Sequence, residues 1–441
     1  MRLAQAVSPL EAELLAAAGA HERLAAFAGA IERLPATPIA PALSREIDRL
    51  AADLEERAGT AVAPRATSEI RAARVIAGQQ AYIDYRLGML AKLDALERCP
   101  PAALAVLVEY DGFASDRLLT RTDLAGVAPG GPARLTLVFH RGRRSNGRKD
   151  LRFVAPPDDA TLLRIRADLR GAITLTARAV AGFDAAAARD QLDLLSEDHA
   201  IARERSRSAG EFNLLWTARV LRRLGYRVPL VALGELWNAP SMRASVARTL
   251  VPFFHDNADF VEVANEAIRA SPSQPAAMSP RPPGHLPLML TDPVTGVRAG
   301  LRVFRRGEDF VIKSDSPVSF SANVGGAGED ELLAFLQALD GRCTPNVFAP
   351  IFLFNAGFQG IVNGRGAIRY ALVIAAVLRR LFGRTHPPNL LCAGELHADD
   401  PFAAARAAIG SPPADIEPTL VARLLAAGPE AVRREVARVW R

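Results

Sequence analysis

Residues 343–383 constrain the fold more than any other stretch, because two strand patterns, a glycine turn and a helix pattern follow one another there. The apolar runs 347–354 and 358–362 have strand length, and Asn-Gly-Arg-Gly at 363–366 interrupts the pattern. Apolar residues recur at helical spacing over 370–382, and a glycine then ends the helix pattern. Small residues at a helix N-terminus admit a ligand to the backbone and favour anions. The stretch therefore predicts a binding turn, with an ordinary strand-to-helix turn as the alternative.

Further apolar runs predict more strands of the same sheet. They lie at Val75-Ile76, 104–108 and 228–233, and helical patterns separate them. Continuous apolar runs separated by helices are typical of parallel strands that are covered on both faces. The sequence therefore predicts an α/β protein with a parallel sheet.

Polar residues follow two of these predicted strands. Gly78, Gln79 and Gln80 come after the first, and Glu109 and Asp111 come after the second. In doubly wound sheets the ligand crevice lies at the carboxyl ends of the strands. A carboxylate there can bind an ammonium or hydroxyl group or accept a proton. We expect these residues to meet in one crevice, with solvated loops as the alternative.

Composition shifts divide the chain into five parts. The predicted parts are a helical N-terminal leader (1–70), a first core part (71–270) with a basic hairpin insertion (130–155), a Pro-rich crossing with a small β segment (271–325), a second core part (326–395) and C-terminal helices (396–441). The hairpin is expected from strand patterns at 134–140 and 151–154 around a basic tip at 141–149. Such a tip suits a phosphate or carboxylate, or is a solvated loop.

The charge pattern favours small anionic ligands over nucleic acids. A net charge of +6 over 441 residues is modest, and aromatic residues make up only 6% of the chain. Lys92, Lys149 and Lys313 are the only lysines, so nearly all basic residues are arginines, which suit carboxylates and phosphates.

Cysteine and hydropathy patterns predict a cytoplasmic protein. Cys99, Cys343 and Cys392 lie far apart and in no metal spacing, so we expect reduced thiols and no metal site. Cys343 is expected to be a buried structural thiol. The N-terminus lacks a signal-peptide pattern, and no apolar run is long enough to span a bilayer, so no membrane partner is expected.

Several segments, in order, resemble motifs of the BshC family, the proposed cysteine-adding ligases of bacillithiol synthesis. Residues 75–80 resemble its V-x-T-G-Q-Q segment, and 109–113 lie where the family carries E-D-H-D-F. Residues 344–347 and 363–370 resemble its S-P-N-V and G-G-P-G-E-I-A-Y elements. The resemblance covers roughly residues 45–390.

The resemblance implies a Rossmann-like parallel sheet core with inserted connecting segments, between helical N- and C-terminal parts. It also implies amide formation between the carboxyl group of cysteine and an amine on a sugar-malate, with ATP as the expected source of activation. Glu109 and Asp111 would be catalytic. The residues that would bind substrate are Gly78, Gln79, Gln80, Asn346, Asn363, Gly364, Arg365, Gly366, Arg369 and Tyr370.

Departures from the family pattern concern the substrate more than the fold. Asp111 replaces a histidine of E-D-H-D-F, Ala367 replaces the glutamate of G-G-P-G-E, and Arg365 and Arg369 are new. Losing an ionisable histidine would change proton transfer, and new arginines could hold a different carboxylate or phosphate. The chain also lacks the sustained heptads of the family's C-terminal coiled coil, and its oligomeric state is left open.

Three functions are compatible with these patterns. The first is a BshC-like ligase that joins an amino acid, with cysteine as one candidate, to an amine of a small metabolite. The second is a non-catalytic protein that binds a small molecule or a partner on the same fold. The third is a transferase that uses an activated donor such as aminoacyl-tRNA, for which the basic tip is the only support. ATP rests on the resemblance alone, because the chain has no Walker A loop.

Overall fold

The computed structural model of the chain describes residues 20–21, 23–34, 41–60, 74–80, 87–98, 104–110, 121–128, 131–139, 149–179, 181–270, 278–392 and 420–437. The strands in these ranges are β1 (Ala20–His21), β2 (Arg74–Gln80), β3 (Leu104–Tyr110), β4 (Arg121–Ala128), β5 (Gly131–Val138), β6 (Leu230–Ala232), β7 (His285–Thr291), β8 (Arg298–Arg306), β9 (Asp309–Ser314), β10 (Ser321–Asn323), β11 (Cys343–Pro345), β12 (Gly360–Gly364) and β13 (Asn389–Cys392). The α-helices are α1 (Leu24–Glu32), α2 (Pro41–Ala58), α3 (Leu87–Glu97), α4 (Asp159–Ala179), α5 (Ala185–Arg205), α6 (Ala209–Arg223), α7 (Leu233–Asn238), α8 (Pro240–His255), α9 (Asn257–Ala270), α10 (Glu329–Ala338), α11 (Ala349–Asn355), α12 (Arg365–Phe382) and α13 (Leu420–Val436).

A six-stranded sheet has the order β1-β13-β12-β2-β3-β6, and each of its neighbouring pairs is parallel. The chain passes from β2 to β3 and β6 on one side of the sheet, and later returns to the other side of β2 to form β12 and β13. The winding therefore changes direction between β2 and β12. In open α/β sheets this switch point is where a crevice opens between the carboxyl ends of adjacent strands.

Apolar cores cover both faces of this sheet. Val362 of β12 belongs to one core together with Leu90 and Leu93 of α3. Ile361, its neighbour in β12, belongs to the other core together with Val373 of α12. Because successive strand residues face opposite sides, α3 and α12 cover opposite faces. The continuous apolar runs of these strands follow from this two-sided burial.

A second sheet is antiparallel and has the order β10-β9-β8-β7-β11. The antiparallel strands predicted before residue 325 are confirmed, but the predicted small β segment is too short. β11 (Cys343–Pro345) comes from the predicted second core part and pairs with β7 at the sheet edge. The α/β class is confirmed in the broad sense of mixed helices and strands, and the fold is not organised around one parallel sheet alone.

The strand predicted at 347–354 is wrong, since residues 349–355 form helix α11. Pro350 lies in its first turn, where the missing N–H is not needed. Ile351, Phe352 and Leu353 are all buried. An apolar run that is buried on every side carries no periodicity, so its pattern cannot separate a strand from a helix.

The predicted pairing of the basic hairpin is also wrong. β5 (Gly131–Val138) pairs with the preceding β4, and residues 151–153 form a 3-10 turn. Buried Asp150 caps this turn by accepting from the backbone N–H of Arg152 at 3.0 Å, and it also accepts from the Thr291 hydroxyl at 2.9 Å. These bonds fix the segment as a turn docked on the antiparallel sheet. Residues 141–148 of the tip lie outside the described residues.

The terminal parts differ partly from the expected helices. The leader contains α1 and α2, but it also supplies β1 (Ala20–His21), which pairs in parallel with β13 at the sheet edge. Near the C-terminus, α13 is interrupted at Gly428, whose φ of 73° is left-handed. None of the helices in the described part of the chain has the length and apolar character that a bilayer crossing requires.

Candidate functional site at the edge of the parallel sheet

The predicted polar residues of β2 and β3 lie side by side at the carboxyl edge of the sheet. The register pairs Gln79 with Glu109 and Gln80 with Tyr110, and Gly78 pairs with Val108 one step earlier. Glu109 also pairs with Ala232 of β6. Strand ends from β2 and β3 thus bring Gln79, Gln80 and Glu109 to one edge, as predicted. Asp111 lies outside the described residues.

The glycine turn lies on the other side of the switch point. β12 pairs with β2 up to Val362 and Ala77. Two further residues along both strands bring Gly364 level with Gln79, which itself is paired with Glu109. Residues in one row of a parallel sheet share a face. Positions 364, 79 and 109 therefore form one row across the switch point, which we call the edge row.

Gly364 is the N-cap residue of α12, so the strand turns directly into the helix. No acidic residue lies in the first turn of α12, and among the described residues no side chain forms a capping hydrogen bond at its N-terminus. The free N–H groups of a first turn carry partial positive charge and suit an anionic group. The predicted helix is confirmed, but it begins at Arg365, earlier than the predicted 370, so Arg365, Gly366 and Arg369 occupy its first two turns.

Asn363 has a structural partner at this edge. Its side-chain N–H donates to Oδ1 of Asn389 on β13 at 3.1 Å, and both residues are buried. The pair holds two neighbouring strands together below the edge row. Asn363 was predicted to bind substrate, but this bond gives its amide a role in the sheet.

Lys92 was not predicted as a site residue, yet it reaches the edge row from α3. Its side chain is only 7% exposed. A Cβ placed on Gly364 would lie 3.3 Å from Cε and 3.7 Å from Nζ of Lys92, so the amine lies against the glycine. The sequence did contain a signal for Lys92. It is one of only three lysines among the 54 basic residues, and it interrupts an apolar helix.

Asn346 is not on this edge. It follows β11 of the antiparallel sheet, where its Nδ2 lies 3.3 Å from Nε2 of His285. Its Oδ1 accepts from the backbone N–H of Phe348 at 3.1 Å. The structure thus gives the Asn346 amide partners beside the antiparallel sheet, and its grouping with the strand-end residues stays a prediction.

Tyr370 lies further along α12 and is associated with Arg281. Burial lowers the pKa of the Arg281 guanidinium, and the electrostatic interaction with Tyr370 partly offsets this effect. The guanidinium carbon lies 5.7 Å from the ring centre of Phe348. Tyr370 therefore belongs with Arg281 and Phe348, and nothing places its side chain against the edge row.

Cys343 lies in β11 of the antiparallel sheet and not at this edge. Cys343 is buried, and burial raises the pKa of its thiol to about 12, so it is a structural thiol as expected. In the ranges that the structure describes, no group of three His, Cys, Asp or Glu side chains is arranged to hold a metal ion.

No protein-family model matches the chain, and no curated protein matches it at a significant level. The likeness to the BshC family is therefore carried only by the segments 75–80, 109–113, 260–265, 344–347 and 363–370 and by the strands around 298–313, in that order.

Proposed function

We propose that the chain is a cytoplasmic BshC-like ligase that forms an amide between an amino acid and the amine of a small metabolite. The observation that carries the proposal is the edge row, in which Gln79 and Glu109 lie level with the glycine at the start of α12. A carboxylate on one side and a positive helix end on the other suit two substrates of opposite charge. We also assign the six-stranded sheet to the Rossmann-like class, supported by its parallel pairs and its switch point.

The proposed roles of the edge-row residues follow from their charges and from the charges of the substrates. Glu109 would hold the ammonium of the amine substrate and accept its proton, which leaves the nitrogen as a nucleophile. The backbone N–H groups at Gly364 to Gly366 would bind the acid partner, and Arg365 would add a positive charge. Held across the edge row, amine and acid would be close enough to react without a diffusional encounter.

Amide formation from a free acid needs activation, which ATP would supply. The first turn of α12 fits a phosphate in charge, because it has free N–H groups, no acidic residue and the Lys92 amine nearby. Arg365, Gly366 and Lys92 are the residues that would hold the phosphate. The chain has no Walker A loop, so this is a different phosphate site from that of P-loop proteins.

One observation favours a non-catalytic binding protein as the second candidate. Asn346 and Asn363, two of the predicted substrate ligands, are engaged in hydrogen bonds within the protein. A protein without turnover would need only Glu109 and the helix end to hold a ligand, and would tolerate the loss of the family's polar positions.

The proposal is tested by incubating the protein with ATP, each of the standard amino acids and a panel of glucosaminyl-malate and related amines. Mass spectrometry would detect a coupled product and chromatography would detect nucleotide turnover. We expect one amino acid and one amine class to give product, and Glu109→Gln to abolish it. Ligand binding without product or turnover across the panel would favour the second candidate, and neither binding nor product would refute both.

A further inference from the structure

We propose that Arg281 and Tyr370 form a binding site for an oxyanion, the carboxylate or phosphate group of a small molecule. Arg281 precedes β7, and Tyr370 lies on α12, while α9 contacts both of these elements. The site is separate from the edge row, so the inference goes beyond the proposed ligase and does not rest on it.

The first observation is that the protein holds Arg281 in a fixed position. The side chain of Asn265 on α9 binds both backbone groups of Arg281: Nδ2 donates to the carbonyl at 2.9 Å, and Oδ1 accepts from the N–H at 2.6 Å. Pro282 follows directly and restricts the backbone further. The guanidinium carbon lies 5.7 Å from the ring centre of buried Phe348. Because the arginine is positioned before a ligand arrives, binding costs less conformational entropy.

The second observation is that the described part of the chain gives this cation no carboxylate. Nε of Arg281 is shielded from solvent, and no described residue accepts a hydrogen bond from it. The groups that interact with the guanidinium there are the Phe348 ring, Tyr370 and His285, and none of them is a carboxylate. The ring offsets part of the cost of burying the charge, but it leaves Nε–H without an oxygen acceptor. An oxyanion would supply both the acceptor and the missing negative charge.

The third observation is a contrast between two arginines of one cluster. The charges of Arg281 and Arg302 both act on His285. Nε of Arg302 binds Oδ1 of Asp315 at 2.6 Å, so the fold supplies a carboxylate to Arg302. Arg281 and Tyr370 are both partly exposed, which lets a small anion reach them from solvent. The planar guanidinium can donate two hydrogen bonds to one carboxylate or phosphate, and the phenol hydroxyl of Tyr370 can donate another.

The small number of tyrosines allows a direct test. The chain has 5 tyrosines, so protein labelled with 3-fluorotyrosine gives few ¹⁹F signals, and Tyr370→Phe assigns the relevant one. Titration with inorganic phosphate, and separately with acetate, at constant ionic strength distinguishes a phosphate site from a carboxylate site. We expect one or both anions to shift the Tyr370 signal saturably. The signal of buried Tyr226, assigned with Tyr226→Phe, should stay unchanged.

Substitutions of the arginine extend the test. Arg281→Met keeps an apolar stem against Phe348 and should weaken anion binding about tenfold to a hundredfold, the range for a charged hydrogen bond. Arg281→Lys keeps the charge but loses the planar fork, so it should also weaken binding, and it replaces Arg281→Met if that variant does not fold. Arg305→Met is the matched control, because the Arg305 guanidinium carbon lies 5.9 Å from the ring centre of Phe310 but its side chain is exposed. It should leave the affinity unchanged.

Two results would overturn the inference. One is a Tyr370 signal that neither anion shifts in the wild-type protein. The other is a shift that keeps its full affinity in the folded Arg281 variants, since the anion would then bind elsewhere, for example at the first turn of α12. The ligase proposal fails separately: a protein that couples no substrates but binds an anion through Arg281 would keep this site and lose that activity.

Discussion

Nδ2 of Asn346 lies 3.3 Å from Nε2 of His285, at the edge of the antiparallel sheet. Nε2 accepts this bond only when the ring is neutral and carries its proton on Nδ1. Burial, followed by the charges of Arg281 and Arg302, lowers the pKa of His285 to about 3, so the ring is neutral at physiological pH. The contact therefore gives Asn346 a partner within the fold at this pH.

Asn346→Ala should destabilise the protein while leaving ligand binding intact. The change removes the contacts to His285 and to the backbone N–H of Phe348, and it leaves a buried ring nitrogen without its partner. The expected loss is about 1–3 kcal/mol of unfolding free energy, measured by urea titration. If the Asn346→Ala variant keeps its full stability but loses much of its substrate binding, Asn346 binds substrate after all.

Acid should destabilise the fold through its buried histidines. Burial lowers the pKa of His199 to about 4 and that of His285 to about 3, from an ordinary value of 6.5. Between the lowered pKa of each folded histidine and the ordinary value of 6.5, the unfolded chain binds more protons than the folded protein. The free energy of unfolding is therefore highest above pH 6.5 and falls as the pH drops below it. Each such proton contributes up to about 1.4 kcal/mol per pH unit.

A substitution isolates this effect. His199 is stacked against Trp216 and Phe212, so His199→Phe keeps an aromatic ring in place without the titrating group. Urea midpoints measured from pH 7.5 to pH 4.5 should fall less steeply for this variant. His255→Gln, which changes an exposed histidine, is the control. If the urea midpoint falls equally steeply with pH in the wild type and in both variants, His199 does not contribute to the loss of stability in acid.

Glu109→Gln should abolish amide formation without unfolding the protein. The substitution keeps the shape of the side chain but removes the base and the negative charge that the amine requires. We expect kcat to fall about a hundredfold or more, within the range for lost general-base catalysis. Glu308→Gln, an exposed glutamate in a turn of the antiparallel sheet, is the control and should retain full activity. Unchanged turnover in Glu109→Gln would remove this residue from the mechanism.

Arg57→Met should lower stability by disconnecting three helices. The guanidinium of Arg57 binds Asp53 at 3.0 Å within α2, and it binds Glu211 of α6 and Glu235 of α7 at 2.8 Å each. We expect a loss of about 1–3 kcal/mol in thermal or urea unfolding.

The control for this network is an exposed ion pair. Arg248 and Glu329 are 69% and 45% exposed and lie 3.4 Å apart, so Arg248→Met should cost less than about 1 kcal/mol. Equal losses in both variants would show that the Arg57 network is no stronger than a surface pair.

The sequence by itself determined the strands and helices whose patterns are continuous and unambiguous. The apolar runs at 75–76 and 104–108, the glycine at the start of α12 and the stop at Gly383 all lie where the pattern predicts them. The carboxyl ends of parallel strands share an edge, so the meeting of Gln79 with Glu109 also followed from sequence. These features are local or follow from one rule of sheet geometry.

Only the tertiary structure decided the rest. Residues 349–355 form a helix, which their continuous apolar pattern could not distinguish from a strand. Cys343 to Pro345 joined the antiparallel sheet, which places Asn346 beside His285. Lys92 reaches Gly364 across the space between a helix and a strand, a contact between residues that are far apart in the chain. Such contacts depend on the three-dimensional packing of elements, and no periodicity or motif in the sequence records them.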